Sequence, residues 1–111
     1  MNTTVVQEPG EKVQIFISCR KLKDMDILSK SDPEVEVAIK TGKNGGYRKL
    51  GKTECIQNNL NPDFTKNFTV DYYFEKEQTM KFDVYDVDSA TSRDYIGSIE
   101  VPMGKIMGSQ R

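Results

Sequence analysis

Two short stretches of this chain concentrate aspartate. The first reads L-K-D-M-D-I-L-S-K-S-D-P and carries Asp26 and Asp32. The second reads Y-D-V-D-S-A-T-S-R-D-Y-I-G and carries Asp86, Asp88 and Asp94. Each follows an alternating apolar run, so each is expected as a loop at a strand end. A fold that stacks those loops side by side crowds five carboxylates into one basin. Like charges at that spacing repel, and a multivalent cation reverses the sign. The donors are hard oxygens without nitrogen or sulfur among them, which selects calcium before zinc or copper. Any one aspartate could be an ordinary turn residue. Asp24 and Asp83 are read that way, as a solvated turn and a strand surface.

Other chemistries fit less well. The chain has no histidine, which removes Ser-His-Asp, Cys-His and histidine–metal arrangements. Paired carboxylates could serve acid–base hydrolysis, but a small sandwich offers no evident cleft and no second catalytic partner. The expectation is a binding module and not an enzyme. Cys19 and Cys55 lack metal-site spacing, and Cys19 continues an inward-facing pattern as a buried thiol. An EF-hand fails on the second stretch, because its sixth position is Thr91 rather than glycine and its twelfth is Gly97 rather than glutamate.

The elements that must position these groups read as strands. Val13, Ile15, Ile17 and Cys19 alternate with Gln14, Phe16 and Ser18. Val35, Val37 and Ile39 alternate with Glu34, Glu36, Ala38 and Lys40. Tyr47 to Ile56 forms a basic strand after an Asn44-Gly45-Gly46 turn, and Asn67 to Tyr73 forms the fourth. Met80, Phe82 and Val84 alternate in the fifth. Tyr95 to Val101 is the sixth, with Gly97 marking a bulge or close approach. Period two throughout, and no convincing helical period, gives an all-β antiparallel sandwich. Phe64, Phe68, Phe82, Ile15, Val37 and Val84 are its expected core.

Composition bounds the rest. The 111 residues suit one domain, and 30% charged residues with a net charge of −1 make any charge effect local. No apolar run approaches the ~20 residues of a membrane span. The amino terminus lacks a signal peptide's basic start and apolar centre, so the expected compartment is the reducing cytoplasm. Residues 1–10 read as a flexible lead-in and 11–111 as the domain. Tyr72, Tyr73 and Phe74 could stack on bases, but a pI of about 5.5 argues against nucleic acid.

The spacing also resembles that of a known family. L-K-D-M-D-I-L-S-K-S-D-P-E-V-E-V resembles the first calcium loop of C2 domains, and Y-D-V-D-S-A-T-S-R-D-Y-I-G their third. Between them, Asn61-Pro62 matches the family's Asn-Pro segment. S-C-R-K-L-K-D-M-D-I-L-S-K-S-D-P and N-F-T-V-D-Y-Y-F-E-K-E-Q-T-M-K-F-D-V-Y-D look like the first C2 domain of copines, cytosolic calcium-dependent phospholipid-binding proteins. The resemblance implies a Greek-key sandwich of the C2 type. It ends soon after the sixth strand, at M-G-S-Q-R, so the last strands are expected to be missing.

It also implies a ligand set for Ca2+, two ions in number. Asp32, Asp86 and Asp88 would bridge, and Asp26 and Asp94 would complete the flanks. Carbonyls near Ile27, Val87 and Ser92 and the Thr91 hydroxyl would add oxygens. The ions would turn the tip from repelling an anionic phospholipid membrane to tolerating it. Ile27 and Leu28 would insert, because adjacent exposed aliphatics are costly in water, and Arg93 would approach phosphate. Lys43, Arg48, Lys49 and Lys52 resemble a polybasic lipid face, although such a strand also reads as a solvated surface. The alternative is a calcium-independent module that binds protein partners through a sheet face or edge.

Overall fold

The computed structural model describes residues 10–24 and 30–108. Six strands form where the alternation lies: β1 Glu11–Ile15, β2 Pro33–Thr41, β3 Arg48–Lys52, β4 Phe68–Tyr72, β5 Gln78–Ser89 and β6 Ser92–Pro102. β1 and β4 pair as one antiparallel sheet, and the other has the order β3-β2-β5-β6, antiparallel throughout. Strand alternation sends Val13, Ile15, Phe68 and Val70 from the small sheet and Val35, Val37, Ile39 and Met80 from the large one into a single core. Burying each such side chain contributes about 1.5–3 kcal/mol. Phe64 joins this cluster, and Phe82 and Val84 pack half-buried against it.

Three local departures from the sequence reading have physical causes. The first alternating run does not stay one strand. β1 stops at Ile15, Phe16 is 67% exposed, and the chain then takes a new partner. The Phe64 N–H donates to the Ile17 carbonyl at 3.0 Å and the Cys19 N–H to the Pro62 carbonyl at 2.9 Å. The basic strand is shorter than expected and ends at Lys52, although the Thr53 N–H still reaches the Val35 carbonyl at 2.8 Å. A helix that the periodicity did not show, α1 (Met103–Gly108), follows β6. Its Met103, Ile106 and Met107 stand at i, i+3 and i+4 and pack on the core. A helix this short carries too little period to read from sequence.

One end of the sandwich gathers the connections that matter. β2 begins at Pro33, opposite Asp86 of β5. Residues 16–24, 30–32 and 53–67 therefore lie at the same end as the β5–β6 turn, Ala90–Thr91.

Candidate metal centre

The second aspartate-rich stretch is not a loop. β5 runs on to Ser89 and β6 starts at Ser92, so its three aspartates ride on a tight two-stranded ribbon. The inner face of β5 is set by Met80, Phe82 and Val84, and Asp86 is next on that face. On β6, Val101, Ile99 and Gly97 sit opposite those three inner residues. Strict alternation would then bring Tyr95 and Arg93 inward. A bulge prevents it: Val84 pairs with Gly97 and Tyr85 with Tyr95, leaving Ile96 as the extra residue. One extra residue reverses the parity of everything beyond it. Asp94 comes to lie opposite Asp86, and Arg93 goes to the outer face. A second irregularity follows, because Val87 pairs with Arg93 and Ser89 with Ser92, so Asp88 is itself an extra residue.

The result is a compact acidic cluster. Asp86, Asp88 and Asp94 each present an oxygen, and the three atoms lie within 4.8 Å of one another. Asp86 is fully buried and Asp88 and Asp94 are exposed. Asp86 divides its oxygens. Its Oδ1 accepts the Asp32 N–H at 2.8 Å, while its buried Oδ2 has no hydrogen-bond partner among the described residues. A buried carboxylate oxygen without a donor is costly. Unit charges ~4 Å apart repel by about 4 kcal/mol at an effective dielectric of ~20. The donor set is all oxygen, and its buried carboxylate, Asp86, has an oxygen without a donor among the described residues. Those two features suit a hard divalent cation.

Asp32 is brought alongside by its backbone. Its N–H reaches Asp86, and its carbonyl accepts the Val87 N–H at 3.0 Å. Its carboxylate Oδ1, however, accepts the Asn58 N–H at 2.7 Å, and Asp32 is outside the set of three. Asn58 has a φ of 51°, a left-handed conformation that asparagine tolerates better than most residues. The Asn-Pro segment holds the chain just ahead of the first stretch. Asn61 Oδ1 accepts the Lys21 N–H at 2.9 Å, and Arg20 Nη2 meets Asp63 at 2.7 Å. The exposed Cys55 thiol donates to the Asp32 carbonyl at 3.5 Å. Partial desolvation, with the Asp32 charge beside it, pushes that thiol's pKa up. Asp26, Ile27 and Leu28 lie outside the described residues, and Asp24 is exposed.

The outer face of the same sheet is charged in another way. Glu34 is buried, and Lys52 Nζ and Arg93 Nη1 approach it at 3.6 and 3.4 Å. Glu36 pairs with Lys49 at 2.8 Å and with Arg93 Nη2. The Lys49 hydrogen bond, with Arg93 adding to it, holds the Glu36 carboxyl below its ordinary range. Arg93 also lies 3.7 Å over the Tyr85 ring. So Arg93, expected at a membrane tip, is engaged on the sheet face. Lys49 and Lys52, expected to meet lipid, also serve internal glutamates. Arg48 and Lys43 are exposed. Val87, Thr91 and Ser92 line a hollow of about 440 Å³ with Lys49, Lys52 and Arg93. These cross-strand pairs were missed in sequence, where only the alternation of Glu34 and Glu36 hinted at an outer acidic row.

A family model described as "C2 domain" matches residues 12–111. Copine-E of Dictyostelium discoideum is 44% identical over 101 residues, which is 86% of this chain and 17% of that protein. The chain thus spans about a sixth of the length of that curated relative. Among solved structures, a C2 domain of plant Extended Synaptotagmin 1 superposes with a TM-score of 0.69 at 20% identity, over 89% of this chain and 73% of that one. The calcium-bound pair of C2 domains from Extended Synaptotagmin 2 gives 0.65 at 19% identity, over 91% of this chain and 37% of that one.

Proposed function

The chain belongs to the C2 domain family, and on that footing we propose that it binds calcium and then an anionic phospholipid surface. The observation that carries this reading is the buried Asp86 carboxylate, whose Oδ2 has no hydrogen-bond partner among the described residues, clustered with Asp88 and Asp94. Asp86, Asp88 and Asp94 hold the ion from the ribbon, and Asp32 and Asp26 add carboxylates from the first stretch, enough for two ions. Bound calcium supplies positive charge and open coordination positions at the tip of the sandwich. The residues do the rest: the ribbon fixes three ligands, and Ile27 and Leu28 bury aliphatic surface in the bilayer. Lys43 and Arg48 add attraction worth about 1 kcal/mol per well-placed basic residue.

In this reading residues 11–111 are a binding module without catalysis, behind a lead-in of residues 1–10. It is recruited from the cytoplasm to membranes as calcium rises. Isothermal titration with calcium, followed by sedimentation with phosphatidylserine-containing vesicles in calcium and in chelator, tests it. Calcium heat and calcium-dependent pelleting are expected. Absence of heat up to millimolar calcium would sink the reading in favour of a calcium-independent protein-interaction module.

A further inference from the structure

We propose that Arg93 is a positioning residue for the acidic cluster: from the outer face it holds β6 in the register that turns Asp94 inward. The inference rests on the calcium reading for its affinity measurement and on geometry alone for its second measurement. Among the described residues β6 lies at the edge of its sheet, laddered to β5 alone. Near the tip that ladder is reduced to Tyr85–Tyr95, Asp86–Asp94 and Val87–Arg93, bounded by the irregularities at Ile96 and Asp88. So short a run between two bulges is weakly specified, and slipping by one residue would exchange the faces of Arg93 and Asp94.

Arg93 opposes that slip. Its guanidinium stacks at 3.7 Å on Tyr85 of β5 and reaches across β5 to Glu34 and Glu36 of β2. The edge strand is thereby tied to the strand beyond its neighbour. Glu34 is 6% exposed, so its carboxylate resists losing a cationic partner. Adjacent residues on a strand point to opposite faces, so fixing Arg93 outward fixes Asp94 inward.

A through-space charge effect alone has the opposite sign. Deleting a cation beside a cation site should tighten calcium binding, whereas loss of positioning should loosen it. The experiment is calcium titration of the wild-type chain, Arg93→Ala, Arg93→Lys and Lys81→Ala, with amide hydrogen exchange of each in calcium-free buffer. Arg93→Ala is expected to bind calcium about tenfold more weakly, as loss of a ligand-orienting group typically does. Arg93→Lys keeps the charge but not the planar stack, and is expected in between. Lys81→Ala removes an equal charge from the same face, beside Asp83, and is expected to stay within about twofold.

Exchange at residues 92–95 should accelerate in Arg93→Ala while β2 and β4 stay protected. Equal or tighter calcium binding by Arg93→Ala, or unchanged exchange at residues 92–95, overturns the proposal. If Arg93→Ala does not fold, the same two measurements on Arg93→Lys decide. Should the wild-type chain take up no calcium, the functional reading fails, and the exchange result still decides the role of Arg93.

Discussion

The two faces of the β5–β6 end of the sheet treat carboxylates in opposite ways. On the outer face, Glu34 and Glu36 each sit against a lysine and Arg93 from the same chain. On the inner face, Asp86, Asp88 and Asp94 converge on one another, and the buried Asp86 Oδ2 has no hydrogen-bond donor among the described residues. One face is neutralised from within. The other brings three carboxylates together where the core gives way to solvent. Acidic residues as such therefore say little, and the partners that the register supplies say what each is for.

The contrast can be broken most forcefully at Asp86. Asp86→Asn keeps an oxygen for the Asp32 N–H but removes the buried charge. Calcium binding is expected to weaken by about 100-fold or more. The calcium-free protein is expected to melt higher than wild type, because repulsion within the cluster falls. Titration and thermal melts with and without chelator check both. A lower calcium-free melting point would mean that the Asp86 charge is stabilised by more than the Asp32 N–H. In the wild-type chain, calcium at 100 times its Kd should stabilise the fold by about 2.7 kcal/mol. That is a rise of several degrees, and magnesium at equal concentration should give less.

The outer face should respond with the reverse sign. Glu34→Gln leaves Lys52 and Arg93 without their buried counter-charge, and is expected to lower stability by about 1 kcal/mol, with or without calcium. Chemical denaturation in chelator measures it, and a stabilised Glu34→Gln would erase the distinction between the faces. The smallest effect is one of pH. The Thr65 hydroxyl, together with the N–H groups of Thr65 and Lys66, holds the Glu54 carboxyl at about 2, below its ordinary 4.5. A depressed folded pKa adds stability that is present above the ordinary value and lost as pH falls through the folded one. Melting points should therefore decline from about pH 4.5 toward 2, and Glu54→Gln should flatten part of that decline.

Much of this was legible in the sequence because it depends on local period. Val35, Val37 and Ile39 announced β2, and Met80, Phe82 and Val84 announced β5 with its inner face. The spacing of Asp86, Asp88 and Asp94 announced a cluster. What could not be read depends on which strand lies beside which. Gly97 hinted at a bulge, but only the ladder shows that Ile96 is the extra residue and that it turns Asp94 inward. The engagement of Arg93, Lys49 and Lys52 by Glu34 and Glu36 needs the pairings of β2 with β3 and β5. Phe16 kept the alternation and lost the strand, because backbone pairing passed from β4 to residues 62–64.

The Ala90–Thr91 turn has a consequence for affinity. Because it closes the β5–β6 hairpin, the three clustered oxygens come together once that hairpin folds and its register is held across the bulges at Ile96 and Asp88. On the calcium reading they need less ordering by a cation than groups on a loose loop would. Immobilising a loose loop would subtract conformational entropy from every binding event. On that reading much of the entropy is surrendered during folding, and selectivity among ions would be decided largely by dehydration and fit.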